Sequence, residues 1–226
     1  MLPVRSLGNS GIYVTVLGFG AGQTGDHTIP EKEIELLLNS ALDLGINLID
    51  TARGYGASEE RIGKYLSHRR REFVLSTKVG YGIQGLQDWT YDCITAGVDE
   101  ALRIMKTDYL DIVHLHSCPV ETLQYGEVIN SLHKTIEAGK VRAAAYSGEN
   151  EALEYSVQSG LFNSVQTSIN IFDQKKLEKI IPLAKEKNIG VIGKRPLGNT
   201  PWKFSERPVN HYSEMYWERM KNMQLD

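Results

Sequence analysis

Only two cysteines, Cys93 and Cys118, occur in 226 residues, and they form no Cys-x-x-Cys pair. That excludes a disulfide framework and a thiolate zinc site, and leaves two reduced thiols. No apolar run approaches the roughly 20 residues that cross a bilayer. The opening Met1-Leu2-Pro3-Val4-Arg5 lacks a charged-then-apolar leader pattern, so a cytoplasmic protein with no membrane partner is expected. Neither sign of charge dominates, with 25 Lys and Arg against 28 Asp and Glu. A formal net charge of -3 and a pI near 6.1 give no electrostatic case for nucleic acid. No linker or low-complexity segment divides the chain, so residues 1–226 are expected to form a single domain. What is present, 41% hydrophobic and 23% charged residues, suffices for one sizeable α/β core.

The order of patterns along the chain is regular. Residues 4–14 hold a turn cluster between two apolar segments, which predicts a β-hairpin. Val16-Leu17-Gly18-Phe19-Gly20 reads as a buried strand entering the loop Ala21-Gly22-Gln23-Thr24-Gly25, whose glycines let backbone approach a ligand closely. From Pro30 to Leu44 the spacing of Ile34, Leu37, Leu38, Ala41 and Leu42 predicts a helix ended by Gly45. Further strands are expected at 48–50, 73–77, 109–115, 141–146, 164–167 and 189–193, with helical patterns between them. The helix around Leu177, Ile180, Ile181 and Ala184 is expected to kink at Pro182. Short apolar strands without alternation are typical of parallel strands covered by helices, and the class is therefore α/β.

Between an open sheet and a TIM (β/α)8-type barrel, one feature favours the barrel: titratable residues fall at the ends of consecutive strands instead of at one switch point. About seven strands can be counted, so the barrel is expected to be incomplete. The tail, 201–226, reads as a loop and a capped helix and supplies no eighth strand.

Chemistry is expected at the strand ends. Asp50, Lys78 and His116 close three successive strands, and Tyr55 follows Asp50 in a loop that leads to Ser58, a candidate helix cap. Adjacent parallel strands would put these groups on one rim. A carboxylate satisfies the lysine, and the lysine favours the ionised form of a nearby phenol. A phenol, ordinarily near pKa 10, needs such a cation to act as a proton donor at neutral pH. A histidine opposite could orient a carbonyl oxygen. The set suits protonation of a carbonyl while a nicotinamide cofactor delivers hydride, which no side chain can.

The run Asp50-Thr51-Ala52-x-x-Tyr55-Gly56-x-Ser58-Glu59, the strand end Ser76-Thr77-Lys78, Asp108-Tyr109-Leu110-Asp111 leading to Leu115-His116, and Gly139-Lys140-Val141-Arg142 together resemble the aldo-keto reductase superfamily. The similarity runs in order from about residue 4 to about residue 199. It implies an oxidoreductase reducing an aldehyde or ketone, with Tyr55 as proton donor, Lys78 and Asp50 tuning it and His116 orienting the substrate. It implies a nicotinamide cofactor, NADP(H) ahead of NAD(H), held by Gly20, Ala21, Asp50, Ser147, Gln166, Lys194, Arg195, Leu197 and Gly198. The sequence departs from the family at Gly148, where many members have asparagine, and at Lys194, near which many have an aromatic. It also stops before the eighth strand and the adenosine-binding segment of the family. A short form of this kind leaves open a homo-oligomer covering the barrel edge, and a non-catalytic, nucleotide-sensing or partner-binding relative.

Other features have plainer readings. His114-x-His116 puts two rings on one strand face, but no further His or carboxylate pattern completes a metal set, so no metal is expected and His114 is read as an interior residue. Arg69-Arg70-Arg71 is read as a solvated turn. Trp217 is read as core, and Trp202 as a residue that could face the rim.

Overall fold

The computed structural model describes residues 2–225. It opens with an antiparallel hairpin, β1 (Val4–Ser6) and β2 (Tyr13–Thr15). Alternation follows: β3 (Phe19–Gly20), α1 (Glu31–Asp43), β4 (Leu48–Asp50), α2 (Ser58–Tyr65), β5 (Val74–Val79), α3 (Tyr91–Ile104) and β6 (Leu110–His116). Two helices, α4 (Val120–Tyr125) and α5 (Glu127–Glu137), precede β7 (Val141–Ser147). Then come α6 (Asn150–Ser159), β8 (Ser164–Ser168), α7 (Ile180–Glu186), β9 (Gly190–Lys194) and α8 (Glu214–Asn222). Strands β3 to β9 pair in chain order, all parallel, as a seven-stranded, nearly closed barrel.

Register determines what points inward. Asp50 pairs with Ser76, Lys78 with His114, His116 with Ser147, and Ser147 with Gln166. Because side chains alternate along a strand, these residues and every second neighbour share the inner face. Its lower layer is apolar: Leu48, Val74, Ile112, Ala143 and Ala145 pack against Leu7, Ile12 and Val14 of the hairpin, which plugs that end. Its upper layer is polar. The residues between, among them Ile49, Leu75, Val113, Leu115, Ala144 and Val165, face outward into the main core under the helices, so apolar runs in these strands serve two separate cores.

The structure corrects several expectations. The strand read over Val16–Gly20 shrinks to Phe19–Gly20, and Val16 and Leu17 lie exposed. The reason is pairing: among the described residues β3 bonds only to β4 and β9 only to β8. A cleft of about 720 Å³ fills the seam between them. Leu37, on the flank of α1 beside the buried Ile34, Leu38, Ala41 and Leu42, is exposed as well. Pro182 does not kink a helix, because α7 begins at Ile180 and Pro182 falls in its first turn, where no N–H is needed. Leu177 sits in a separate one-turn segment and is exposed.

Arg70 is no solvated turn residue. Its guanidinium bonds Thr107, the carbonyls of Phe73 and Tyr109, and the buried Asp111 at 2.7 Å, tying the loop before β5 to β6. Cys93 and Cys118 are buried free thiols. No helix among the described residues is long and apolar enough to cross a membrane.

Candidate active site

The polar layer is built from the end of β4 upward. Lys78, at the top of β5, is buried and donates to Asp50 Oδ2 at 2.8 Å and to the Thr51 carbonyl at 2.6 Å. Burial would raise the Asp50 carboxyl, but the Lys78 ammonium, together with His114 and a bond from Gln166, holds the group below its ordinary range. Tyr55 lies over this pair, with Lys78 Nζ 4.8 Å from its ring centroid.

Tyr55 is placed by backbone contact. A Cβ on Gly25 would come 1.6 Å from the Tyr55 carbonyl oxygen, and one on Gly56 would come 2.4 Å from the Gly25 carbonyl oxygen. Ala57 N–H donates to that same Gly25 oxygen. The glycine-rich loop after β3 thus approaches the tyrosine loop as closely as two backbones can. Ser58 reinforces the contact from inside: it is the first residue of α2 with Ala57 before it, and it caps nothing. Its hydroxyl donates to the Ala21 carbonyl at 2.8 Å and lies 2.7 Å from Thr51 Oγ1.

His116, on β6, meets Tyr55 edge-on with ring centroids 5.8 Å apart. Burial, followed by the positive charges of Lys78 and Lys194, pushes its pKa down to about 4, so the ring is neutral at physiological pH. Beneath it His114 is fully buried, and burial depresses it to about 3. Its Nε2 contacts Ser76 Oγ at 3.0 Å, and Ser76 donates to Asp50 Oδ1 at 2.8 Å. Since the one hydroxyl hydrogen goes to Asp50, His114 donates from Nε2 to the serine. His114 is therefore an interior residue that orients the carboxylate. Among the described residues no three His, Cys, Asp or Glu side chains form a metal-ligand set.

Sequence reasoning assigned no role to Ser76 and passed over Tyr81, whose hydroxyl lies 2.7 Å from His116 Nδ1. Ser76 could have been found from alternation, since it stands two residues below Lys78 on an inward face. Tyr81 lies past the end of its strand, and no periodicity marks it.

A nicotinamide cofactor is implied by the chemistry, and the residues fit one. The cleft in the seam runs from the hairpin to the rim and is lined there by Gly20, Asp50, Gln166, Lys194, Arg195 and Leu197, within the size range of ligand sites. Ser147 donates to Gln166 Oε1 at 2.9 Å inside the barrel, an amide and hydroxyl pair suited to a carboxamide. Lys194 and Arg195 bring positive charge to the mouth, as a diphosphate requires. Lys194 is lowered by burial and faces Glu149 at 3.5 Å. Burial would raise Glu149, but bonds from Lys176, Thr167 and Ser168 bring it down to about 2.

Three of the expected contacts, Ala21, Ser147 and Gly198, lie outside the lining of the cleft. Ala21 is buried behind Gly20, and a Cβ on Gly198 would come 2.5 Å from the ring of Phe172, so that glycine serves packing. Gly148 is explained locally. A Cβ there would lie 2.2 Å from the Tyr146 hydroxyl, which folds over it to bond the Cys118 carbonyl, leaving no room for asparagine. Trp202 is half-exposed, and Trp217, partly buried, donates its indole N–H to the Phe204 carbonyl.

The chain is similar to known proteins in sequence and in fold. The sequence model of the Aldo/keto reductase family matches residues 16–222. The chain is 30% identical over 219 residues to the uncharacterized oxidoreductase YqkF of Bacillus subtilis (strain 168), covering 93% of this chain and 69% of that protein. It is 29% identical over 210 residues to L-galactose dehydrogenase of Arabidopsis thaliana, covering 87% of this chain and 66% of that one. The chain thus spans about two thirds of the length of these relatives. Among solved structures, aldo-keto reductase AKR11C1 from Bacillus halodurans (holo form) superposes with a TM-score of 0.81 at 28% identity, covering 93% of this chain and 71% of that chain.

Proposed function

The chain belongs to the aldo/keto reductase family, and on that premise we propose that it reduces an aldehyde or ketone with NAD(P)H, Tyr55 giving the proton. The observation that carries this reading is the buried Lys78–Asp50 pair, 2.8 Å apart, under the ring of Tyr55 and beside His116. Tyr55 Oη transfers its proton to the carbonyl oxygen as the carbonyl becomes an alcohol. The Lys78 ammonium, fixed by Asp50 and the Thr51 carbonyl, stabilises the phenolate left behind. His116, neutral, hydrogen-bonds the same oxygen and orients it. Ser147 and Gln166 would hold the cofactor's carboxamide, and Lys194 and Arg195 its phosphates. Bound NAD(P)H supplies the hydride, and NADP(H) is the form to test first.

The test is NADPH oxidation with a panel of aldehydes. Tyr55→Phe should lower the rate at least about 100-fold, the scale of general acid catalysis, while NADPH binding followed by fluorescence is retained. Equal rates for wild type and variant would overturn the mechanism. A second reading, a nucleotide-sensing relative without turnover, is favoured by one detail: the recorded hydrogen bonds of Lys78 go to Asp50 and Thr51 and none to the Tyr55 hydroxyl. Tight NADPH binding by the wild type with no carbonyl turned over would select it.

A further inference from the structure

We propose that Tyr81 is a positioning residue that fixes the tautomer of His116, so that the imidazole presents Nε2–H, and not a bare nitrogen, to the substrate oxygen. The inference rests on the reductase reading only for what that N–H then contacts. Tyr81 Oη lies 2.7 Å from His116 Nδ1, and its ring stacks on the imidazole with centroids 5.6 Å apart and planes 26° from parallel. Such a contact could run in either direction. A phenol O–H is a far better donor than a neutral imidazole N–H, and a neutral imidazole nitrogen without hydrogen is a good acceptor. The phenol therefore donates, Nδ1 accepts, and the single ring hydrogen of His116 is left on Nε2. Burial raises the Tyr81 phenol and depresses the imidazole, which keeps both groups in the required neutral forms.

The tyrosine is itself held on two sides. Trp89 meets its ring edge-on at 6.0 Å, and the backbone N–H of Trp89 donates to the Gly80 carbonyl at 2.8 Å, with the indole lying on Gly80 so closely that a Cβ there would come 2.1 Å from it. On the other side a Cβ at Gly54 would come 2.9 Å from the Tyr81 hydroxyl. The loop after β5 and the loop after β4 thus clamp the phenol against Nδ1. A hydroxyl so placed acts on the reaction through His116.

Two-bond proton–nitrogen correlation spectra of protein carrying nitrogen-labelled histidine report which ring nitrogen bears the hydrogen, with His116 assigned by the signal lost in His116→Gln. The wild type should show Nε2–H. Tyr81→Phe, which keeps the stacked ring, should show a mixture of tautomers and lose about tenfold in kcat/KM, the effect of one hydrogen bond, with NADPH binding unchanged. In a His116→Gln background Tyr81→Phe should cost nothing further. An Nδ1–H wild type, an unaltered His116 signal in Tyr81→Phe, or a full additional loss in the double variant would each overturn the proposal. The wild-type spectrum decides alone should the variant fail to fold. Nε2–H with no carbonyl reduced would sink the reductase reading and leave the positioning role standing; turnover with Nδ1–H would do the reverse.

Discussion

At the scale of single residues, Ser58 shows how much one hydroxyl can hold. It bonds the Ala21 carbonyl and Thr51 from a fully buried position, linking the ends of β3 and β4 to the start of α2. Ser58→Ala leaves the Thr51 hydroxyl short of a buried acceptor and should destabilise the protein by about 1–3 kcal/mol, read as a lower midpoint in urea unfolding; a loss within error would show that the tie carries no weight. The serine was legible as a residue of interest, yet its role was misread, because cap signals are local and its partners come from 37 and 7 residues away. That Asp50, Tyr55, Lys78 and His116 meet at one rim was legible because each closes or follows a strand, and register then brings strand ends together. Tyr81 and the hydroxyl over Gly148 were not, since both depend on loop conformations that no residue spacing encodes.

At the scale of elements, the contact between the loop after β3 and the tyrosine loop does what neither segment does alone. Gly25→Ala would force a methyl into the Tyr55 carbonyl and should cost about 1–3 kcal/mol as an overpacked site does. The displacement should also lower carbonyl turnover more than NADPH binding. Steady-state kinetics beside urea unfolding would check this, and a variant with wild-type values for both would exclude it. Strands β4 to β9 were readable to within a residue or two, because parallel strands under helices are apolar on both faces. Val16 and Leu17 look the same in sequence and lie outside any strand, for the ladder partner they would need is not among the described residues. Apolar composition alone cannot report whether a neighbouring strand is present.

At the scale of the whole molecule, two buried neutral histidines set the acid side of stability. His114 and His116 titrate near 3 and 4 in the fold, against 6.5 in the unfolded chain. Between pH 6.5 and 4 the unfolded chain takes up protons that the fold refuses, so stability falls as pH falls, by up to about 1.4 kcal/mol per pH unit per histidine. Glu59, raised by burial, acts in the opposite sense above its unfolded value near 4.5, whereas Asp50 and Glu149, both lowered, add to the histidine slope as the pH nears their unfolded values. Urea unfolding from pH 7 to 4.5 should show it, and His114→Gln should remove about one proton from the slope; a flat profile between pH 7 and 5 would contradict it. The barrel as a whole was foreseen from strict alternation, whereas the shape of its seam was not. Mechanically the molecule is a split ring. Six ladders run in series from β3 to β9 and, among the described residues, none crosses the gap, so the gap lies opposite β6, the middle strand, which carries His116. Lys78 and His116 stand on the paired strands β5 and β6, so the ladder that spaces them lies on the far side of the ring from the gap.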